Sequence, residues 1–202
     1  MYAHIEGLIA APFTPLDAAG ALNLDVVPAY ADLLRRNGVA GAFVCGSTGE
    51  GVSLTTAERL AVARAWTAAA APGFKVLVHV GHTCLEDSRA LASDAQTAGA
   101  AGIAAMAPLY FKPGSAAALA ASCAEIAAAA PKLPFYFYHI PALTGVCLPV
   151  AEFLRAAVPL IPNLAGVKFT YEDLMDFQEC LAYENGRYDL LFGRDEILLA
   201  GL

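Results

Sequence analysis

Seven short apolar runs, rich in β-branched or aromatic residues, alternate along the chain with stretches of helical periodicity. The runs read IEGLIAAPF, GAFVCGS, KVLVHVG, GIAAMAP, PFYFYHIP, LAGVKFT and YDLLFGR. The stretches between them include TTAERLAVARAWTAAA, LEDSRALASDAQTAGA, SAAALAASCAEIAAAA, LPVAEFLRAAV and DLMDFQECLAYENG, several with Ser, Thr or Asp near their starts. Strands that are apolar on both faces need helices to cover them, so this alternation predicts an α/β protein with a parallel sheet.

A parallel sheet of this kind is either a barrel or a doubly wound sheet. No GxGxxG or GxxxxGK[ST] motif follows a strand, and no Pro/Ser-rich linker or block of charge divides the chain. These features favour a (β/α)8 TIM barrel as a single domain over residues 1–202. Such a barrel has typically about 250 residues. We therefore expect about seven of the eight βα units, and a domain that is incomplete at its C-terminus.

Composition and charge exclude several classes of partner. The formal net charge of −7 and the few basic residues argue against a nucleic-acid surface. Five cysteines without a CxxC pair indicate neither a disulfide framework nor a zinc site, and they favour a cytoplasmic location. The N-terminus has no basic region before its apolar residues, and no apolar run is long enough to span a bilayer.

A metal site is also not predicted. His79, His82 and Cys84 stand close together in HVGHTC, but no carboxylate or further histidine follows at a spacing typical of metal ligands. We therefore expect no metal, and a small molecule as the partner.

Lys168 lies inside the apolar run LAGVKFT. In a strand, the period of two puts Ala165, Val167 and Phe169 on the face toward the helices, with Gly166, Lys168 and Thr170 on the face toward the barrel interior. A desolvated ammonium there has a lowered pKa, which favours the neutral amine that attacks a carbonyl, and Gly166 would leave room for a substrate. The alternative is a lysine at a strand end whose head reaches solvent.

Two further segments follow strands at the end where barrels place their catalytic groups. In CGSTGEG, residues 45–51, the glycines permit a tight turn, and Ser47 and Thr48 offer hydroxyls and N–H groups that could hold a carboxylate. The alternative is an ordinary turn before a helix. Tyr138, at the end of PFYFYHIP, could relay a proton, or it could anchor the loop that follows.

Taken together, GSTGE, YHIPALTG and GVKFT occur in the order and spacing of the superfamily that contains the N-acetylneuraminate lyases and dihydrodipicolinate synthases. These enzymes are pyruvate-dependent Schiff-base aldolases, and the resemblance extends from GLIAAPFTP to FGRDEILL. The synthases usually have GTTGE, and an arginine after the tyrosine-containing strand for a substrate carboxylate. This chain has GSTGE, with Leu143 at the arginine's place, so it resembles the lyase branch more.

The resemblance implies a role for each motif residue. Lys168 would form the imine with the keto group, and Tyr138, joined by Ser47, would move the proton. Ser47 and Thr48 would hold the carboxylate of the substrate. Tyr110 would reach the site of a neighbouring subunit. The residues implied to contact the sugar are Thr170, Gly193, Asp195 and Glu196.

The implied reaction is the reversible cleavage of N-acetylneuraminate (sialic acid) to N-acetylmannosamine and pyruvate, in a homotetramer and without a cofactor. One alternative is another aldolase of the superfamily, acting on a 2-keto-3-deoxy sugar acid or resembling dihydrodipicolinate synthase. A second alternative, from a different class, is a non-catalytic truncated product or keto-acid-binding protein.

Overall fold

The centre of the structure, a computed structural model that describes residues 2–202, is a curved sheet of seven parallel strands. The strands are β1 Ile9–Ala10, β2 Gly41–Val44, β3 Lys75–His79, β4 Gly102–Met106, β5 Phe135–His139, β6 Leu164–Phe169 and β7 Asp189–Phe192. Each strand pairs with the next one in sequence, and the order never reverses. This is the order of a barrel, because a doubly wound sheet would change direction at a switch point. All seven predicted strands, and the incomplete barrel that they form, are confirmed.

Helices connect the strands and cover the outside of the sheet. They are α1 Val27–Arg36, α2 Thr56–Ala69, α3 Leu85–Thr97, α4 Ala116–Ala127, α5 Pro141–Thr144, α6 Val150–Ala157, α7 Leu174–Ala182 and α8 Leu198–Gly201. Three of the predicted starts carry a cap: the side chains of Thr55, Ser115 and Asp173 accept hydrogen bonds from backbone N–H groups of α2, α4 and α7. Among residues 2–202, no helix combines the length and the apolar character needed to cross a membrane.

Two elements differ from the sequence reading. The run at residues 5–13 contributes only the two residues of β1, because Gly7 adopts a φ of +92° before the strand and Pro12 follows it. Helix α1 is present in the structure but is not among the predicted helical stretches. Its signals are Pro28 in the first turn, where a proline fits because the N–H is not needed, and the basic Arg35 and Arg36 in the last turn.

The sheet has two apolar sides with different partners. The outer side packs against the helices, and the small alanines of α4 allow that helix to approach closely. The inner side forms a smaller cluster of Phe43, Leu77, Ala104, Tyr136, Tyr138, Ile140 and Ala165. Most of these residues occupy alternate strand positions, as the period of two requires.

The alternation is interrupted in β6, and the prediction for Ala165 is wrong. Between β5 and β6 the pairing steps from Phe135 with Leu164 to Tyr136 with Gly166, so one extra residue bulges out of register. Ala165 consequently joins the inner cluster, whereas Val167 and Phe169 lie in the outer core as predicted.

Gly166 also serves a purpose other than the predicted one. A Cβ atom at this position would overlap the backbone carbonyl of Asp189, so the glycine lets β7 approach the bulge. Gly166 is not among the residues that line the cavity described below.

Within the described residues, β1 and β7 do not pair with each other, which leaves a seam between them. The seam is bridged at the amino end of β7 by the carboxylate of Asp189. Its Oδ2 atom accepts hydrogen bonds from the Ile5 N–H, at 3.1 Å, and from the Tyr136 hydroxyl, at 2.9 Å. Burial raises the pKa of this carboxyl, and the two donors and the nearby His4 oppose the rise. One buried carboxylate thus joins the N-terminal segment, β5 and β7.

The bridge predicts a ranked set of stabilities. Asp189→Ala leaves two buried donors without an acceptor and should lower the free energy of unfolding by about 2–4 kcal/mol. Asp189→Asn keeps one acceptor oxygen and should lose less than about half of that amount. Urea titrations followed by circular dichroism measure both, with the exposed Asp25→Ala as the control. Equal stability of Asp189→Ala and the parent chain would contradict the bridge.

Candidate active site

A cavity of about 470 Å³ opens at the carboxyl end of the strands and extends along the seam. Parallel strands present their following loops at this end, which is where barrel enzymes collect their functional groups. The polar residues on its wall come from four strand ends: Ser47, Thr48, Tyr138, Lys168, Thr170 and Asp195. The rest of the wall is mainly apolar, with Ile9, Phe43, Ile140, Leu191 and Phe192.

The amine of Lys168 packs against two aromatic rings that also contact each other. Its Nζ atom is 4.1 Å from the ring centroid of Phe43 and 4.2 Å from that of Tyr138. The head group therefore points into the cavity, as the inward-facing reading of LAGVKFT predicts, instead of reaching bulk solvent.

This environment changes the acidity of the amine. Burial lowers the pKa of Lys168 to about 8, although the negative charge of Asp195 acts in the opposite direction. About a tenth of the amine is therefore neutral at pH 7, far more than for an ordinary lysine, and the neutral nitrogen has a lone pair to donate.

Ser47 and Tyr138 form a hydroxyl pair beside the amine. The Ser47 Oγ and Tyr138 Oη atoms are 3.2 Å apart, within hydrogen-bonding distance. Burial raises the pKa of the Tyr138 phenol, and the hydroxyls of Ser47 and Thr170 moderate the rise. The phenol is thus held neutral, so it can accept one proton only while it passes on another.

The turn that carries Ser47 begins in an unusual conformation. Cys45, the residue after β2, has a φ of +57°, in the left-handed region that few residues other than glycine adopt. A Cβ atom at Gly51 would overlap the Cys45 carbonyl oxygen, so only glycine fits there. The Gly49 carbonyl accepts a hydrogen bond from the Thr14 hydroxyl at 2.6 Å. Backbone packing therefore closes the turn, and the exposed hydroxyls of Ser47 and Thr48 line the cavity.

The segment after β7 adds Gly193 and Asp195 to the cavity wall. A Cβ atom at Gly193 would overlap the Thr170 hydroxyl, which is buried and has no hydrogen-bonding partner of normal geometry among the described residues. Glu196 lies apart from this group. Its side chain is 70% exposed, stands 3.7 Å from Arg194, and does not line the cavity.

Tyr110 also lies apart from the cavity of its own chain. It is 78% exposed, and its ring meets that of Phe111 edge-on at a centroid distance of 5.0 Å. Leu143 is exposed in the short helix α5. The structure thus brings together the residues implied for the pyruvate half, but it places Glu196 and Tyr110 outside the group.

Three residues beside the site were not singled out for it by the sequence reading. Phe43 forms one wall around the amine, and His79 lies behind Tyr138. Arg59 of α2 is buried and donates hydrogen bonds to the carbonyls at the end of β3. Strand alternation could have found the first two, since Phe43 follows Gly41 inward and His79 follows Leu77. Nothing in the helical pattern of α2 marks Arg59.

The HVGHTC segment has other bonding partners than a metal. His79 Nδ1 lies 3.0 Å from the Cys45 carbonyl oxygen, and the His82 Nδ1 atom accepts a hydrogen bond from the Cys84 N–H at 2.9 Å. Across residues 2–202, no group of three His, Cys, Asp or Glu side chains is arranged to hold a metal ion.

Known proteins resemble the chain over nearly its whole length. The model of the dihydrodipicolinate synthetase family matches residues 4–202. The N-acetylneuraminate lyase of Danio rerio is 44% identical over 201 residues, which are 98% of this chain and 66% of the relative. The chain spans about two thirds of the length of such curated relatives.

Two solved structures give the same correspondence. The N-acetylneuraminate lyase of Proteus mirabilis superposes with a TM-score of 0.96 at 39% identity, covering 98% of this chain and 67% of the other. The sialic acid aldolase of Aliivibrio salmonicida gives 0.95 at 41% identity, covering 98% and 65%.

The environment of Lys168 predicts its pH-dependent reactivity. Amines react with acetic anhydride only when neutral, so labelling of Lys168 should rise with a midpoint near pH 8, well below the 10.5 of an ordinary lysine. Competitive labelling followed by peptide mass spectrometry measures this, with exposed Lys75 as the internal reference.

A matched variant tests the opposing charge. Asp195→Asn removes the negative charge that stabilises the ammonium, so the labelling midpoint should move to a lower pH. A midpoint near 10.5 in the parent chain, or a move to higher pH in the variant, would contradict the assigned environment.

Proposed function

Because the chain belongs to the dihydrodipicolinate synthetase family, we propose that it is a class I aldolase that cleaves N-acetylneuraminate reversibly to N-acetylmannosamine and pyruvate. The observation that carries the proposal is the amine of Lys168, desolvated against two rings in the same cavity as the Ser47–Tyr138 hydroxyl pair. This constellation has a nucleophile and a proton carrier within one cavity.

The reaction begins at the keto group. The neutral amine of Lys168 adds to the carbonyl carbon, and uptake of one proton with loss of water gives a protonated imine, which releases that proton when it is hydrolysed at the end. Ser47 and Thr48 hold the neighbouring carboxylate of the substrate with their hydroxyls, on the same side of the cavity. The imine is itself the electron sink, so the proposed reaction needs neither a metal nor an organic cofactor.

Cleavage then moves one proton and one electron pair. As the carbon–carbon bond breaks, its electron pair flows into the protonated imine and gives an enamine, while the hydroxyl of the substrate becomes the aldehyde. Tyr138 accepts the proton of that hydroxyl and passes its own proton along the 3.2 Å contact to Ser47, and Ser47 in turn passes its hydroxyl proton to the substrate carboxylate that it holds. The pair later returns a proton to the enamine carbon, and water hydrolyses the resulting imine to free pyruvate and the lysine.

The sugar half of the proposal rests on fewer contacts. Thr170, Gly193 and Asp195 line the cavity, and they offer a hydroxyl, an open backbone and a carboxylate to the hydroxyls of the sugar. Glu196 can take part only if its exposed carboxylate turns toward the cavity. The apolar Leu143 cannot pair with a second carboxylate, which disfavours a synthase-like substrate.

Several broader features belong to the same proposal. Residues 1–202 act as a single barrel domain, of which Met1 lies outside the described residues, and the protein works in the cytoplasm. The exposed Tyr110–Phe111 pair supports a homo-oligomer, a tetramer by family resemblance, in which Tyr110 reaches the cavity of a neighbouring subunit.

Reduction with borohydride tests the covalent step. Treatment with pyruvate and sodium borohydride should attach a three-carbon adduct to Lys168, identified by peptide mass spectrometry. Lys168→Met, which keeps most of the chain length but has no amine, should stay unlabelled in a folded sample. An adduct on another lysine, or none in the parent chain, would rule out the assignment.

The second test removes the proton carrier. Tyr138→Phe keeps the ring beside Lys168 but loses the hydroxyl, so the rate of N-acetylneuraminate cleavage should fall about 10²- to 10⁴-fold while the adduct still forms. Tyr136→Phe, two residues earlier and on the bridge to Asp189, is the control for loss of a buried phenol. Unchanged cleavage by Tyr138→Phe would return Tyr138 to a packing role.

The choice of sugar is tested by comparing substrates. Cleavage of N-acetylneuraminate should exceed that of a 2-keto-3-deoxy sugar acid, because a site built to bind several polar groups discriminates against a substrate that lacks them. The opposite preference would favour the alternative aldolase, and adduct formation without any cleavage would favour a keto-acid-binding protein.

A further inference from the structure

His79 is a fully buried histidine next to the proposed catalytic pair, and the mechanism above gives it no role. It ends β3 two residues after Leu77, so its ring faces the inner side of the sheet. The ring meets that of Tyr138 edge-on, with centroids 5.8 Å apart at an angle of 83°. It also lies 6.3 Å from the ring of Phe43, centroid to centroid. His79 therefore contacts both aromatic rings that flank the amine of Lys168.

Hydrogen bonding fixes the tautomer of this ring. Its Nδ1 atom lies 3.0 Å from the Cys45 carbonyl oxygen, which can only accept a hydrogen bond, and 3.4 Å from Nη2 of Arg59, which already donates to the His79 carbonyl at 2.6 Å. We assign the proton to Nδ1 because the contact with the acceptor is the shorter one. Burial and the nearby Arg59 lower the pKa of His79 to about 3, which keeps the ring neutral. The Nε2 atom is then a bare acceptor, and among the described residues it has no partner. An apolar ring at this position would not leave a buried acceptor without a partner. The property that distinguishes histidine here is therefore its Nδ1–H donor.

The acceptor, Cys45, decides where the following turn begins. It stands two residues before Ser47 and holds the strained left-handed conformation. Its carbonyl is enclosed by Gly51 on one side and bonded by His79 on another. This carbonyl belongs to the peptide group that joins Cys45 to Gly46. If the carbonyl turned, that peptide group would rotate, and the Ser47 hydroxyl would move away from Tyr138.

The backbone of His79 is anchored in turn. The guanidinium of Arg59 is buried, and it donates hydrogen bonds to the carbonyls of His79, at 2.6 Å, and Gly81, at 2.9 Å. This contact fixes the carboxyl end of β3 to helix α2, which starts just after the turn that carries Ser47. His79 thus has an immobile backbone from which to hold its two neighbours.

We propose that His79 is a positioning residue, whose Nδ1–H holds the Cys45 carbonyl while its ring supports Tyr138, and which thereby sets the Ser47–Tyr138 contact. The inference rests on the proposed function for its kinetic consequence, since the contact matters only if the pair carries a proton. The geometry itself makes a separate prediction that does not depend on catalysis.

Two amide variants separate the nitrogens of the ring. In His79→Asn the amide nitrogen lies near the place of Nδ1 and can still donate to Cys45, whereas in His79→Gln it lies near the place of Nε2. His79→Leu has neither. We expect His79→Asn, which keeps the donor but loses the ring beside Tyr138, to retain more of the cleavage rate than the other two variants. His79→Gln and His79→Leu should lose about 10²-fold in kcat, as misplacement by about 1 Å does, with little change in KM. Adduct formation at Lys168 should persist in all three.

Nuclear magnetic resonance provides the readout that is independent of activity. The backbone amide resonances of Ser47 and Thr48 should keep their positions in His79→Asn and move in His79→Gln and His79→Leu. If the parent chain forms no pyruvate adduct, the proposed function fails, and these resonances still decide the positioning role. The role is overturned if His79→Leu leaves them in place, or if His79→Gln preserves them better than His79→Asn. Should His79→Leu fail to fold, the comparison of the two amides remains decisive.

Discussion

An amine that attacks a carbonyl has to be neutral, and this chain keeps that of Lys168 partly neutral by withholding water from it. The rings of Phe43 and Tyr138 lie on the Nζ atom at about van der Waals contact, and burial is the main cause of the lowered pKa. The same rings attract a cation, and so does the negative charge of Asp195, so the charged ammonium form persists. The balance leaves both forms populated, which is what the proposed imine mechanism requires of this amine.

Placing that amine depends on backbone geometry more than on side chains. The bulge in β6 puts Ala165 inside the sheet without displacing Val167 and Phe169 from the outer core, and β7 comes close because Gly166 has no side chain. Gly193, just after the other end of β7, has a similar effect, because a Cβ atom there would overlap the Thr170 hydroxyl. Larger residues at these two glycines would push the strand away from Lys168 and widen the cavity from that side.

The features that could be predicted from the sequence are those that follow from a repeating pattern of residues. Seven strands followed from the alternation of apolar runs and helical stretches, and the inward direction of Lys168 followed from the period of two. Ala165 was misplaced because a bulge changes the phase without leaving a mark in the residue types. The partners of His79, Arg59 and Asp189 are distant in sequence, so their bonds could not be read from local patterns.

The seam between β1 and β7 is bridged by hydrogen bonds at its amino end. Asp189 ties the amino end, while at the carboxyl end Leu8, Ile9 and Leu198 border the same cavity as Lys168. Whatever fills the seam excludes water from the amine, so its binding and the proton affinity of Lys168 are thermodynamically linked, and linkage is reciprocal. An occupant that favours the neutral amine must bind more tightly when the amine has lost its proton. Binding at the seam and loss of the proton from Lys168 are therefore two parts of one coupled equilibrium.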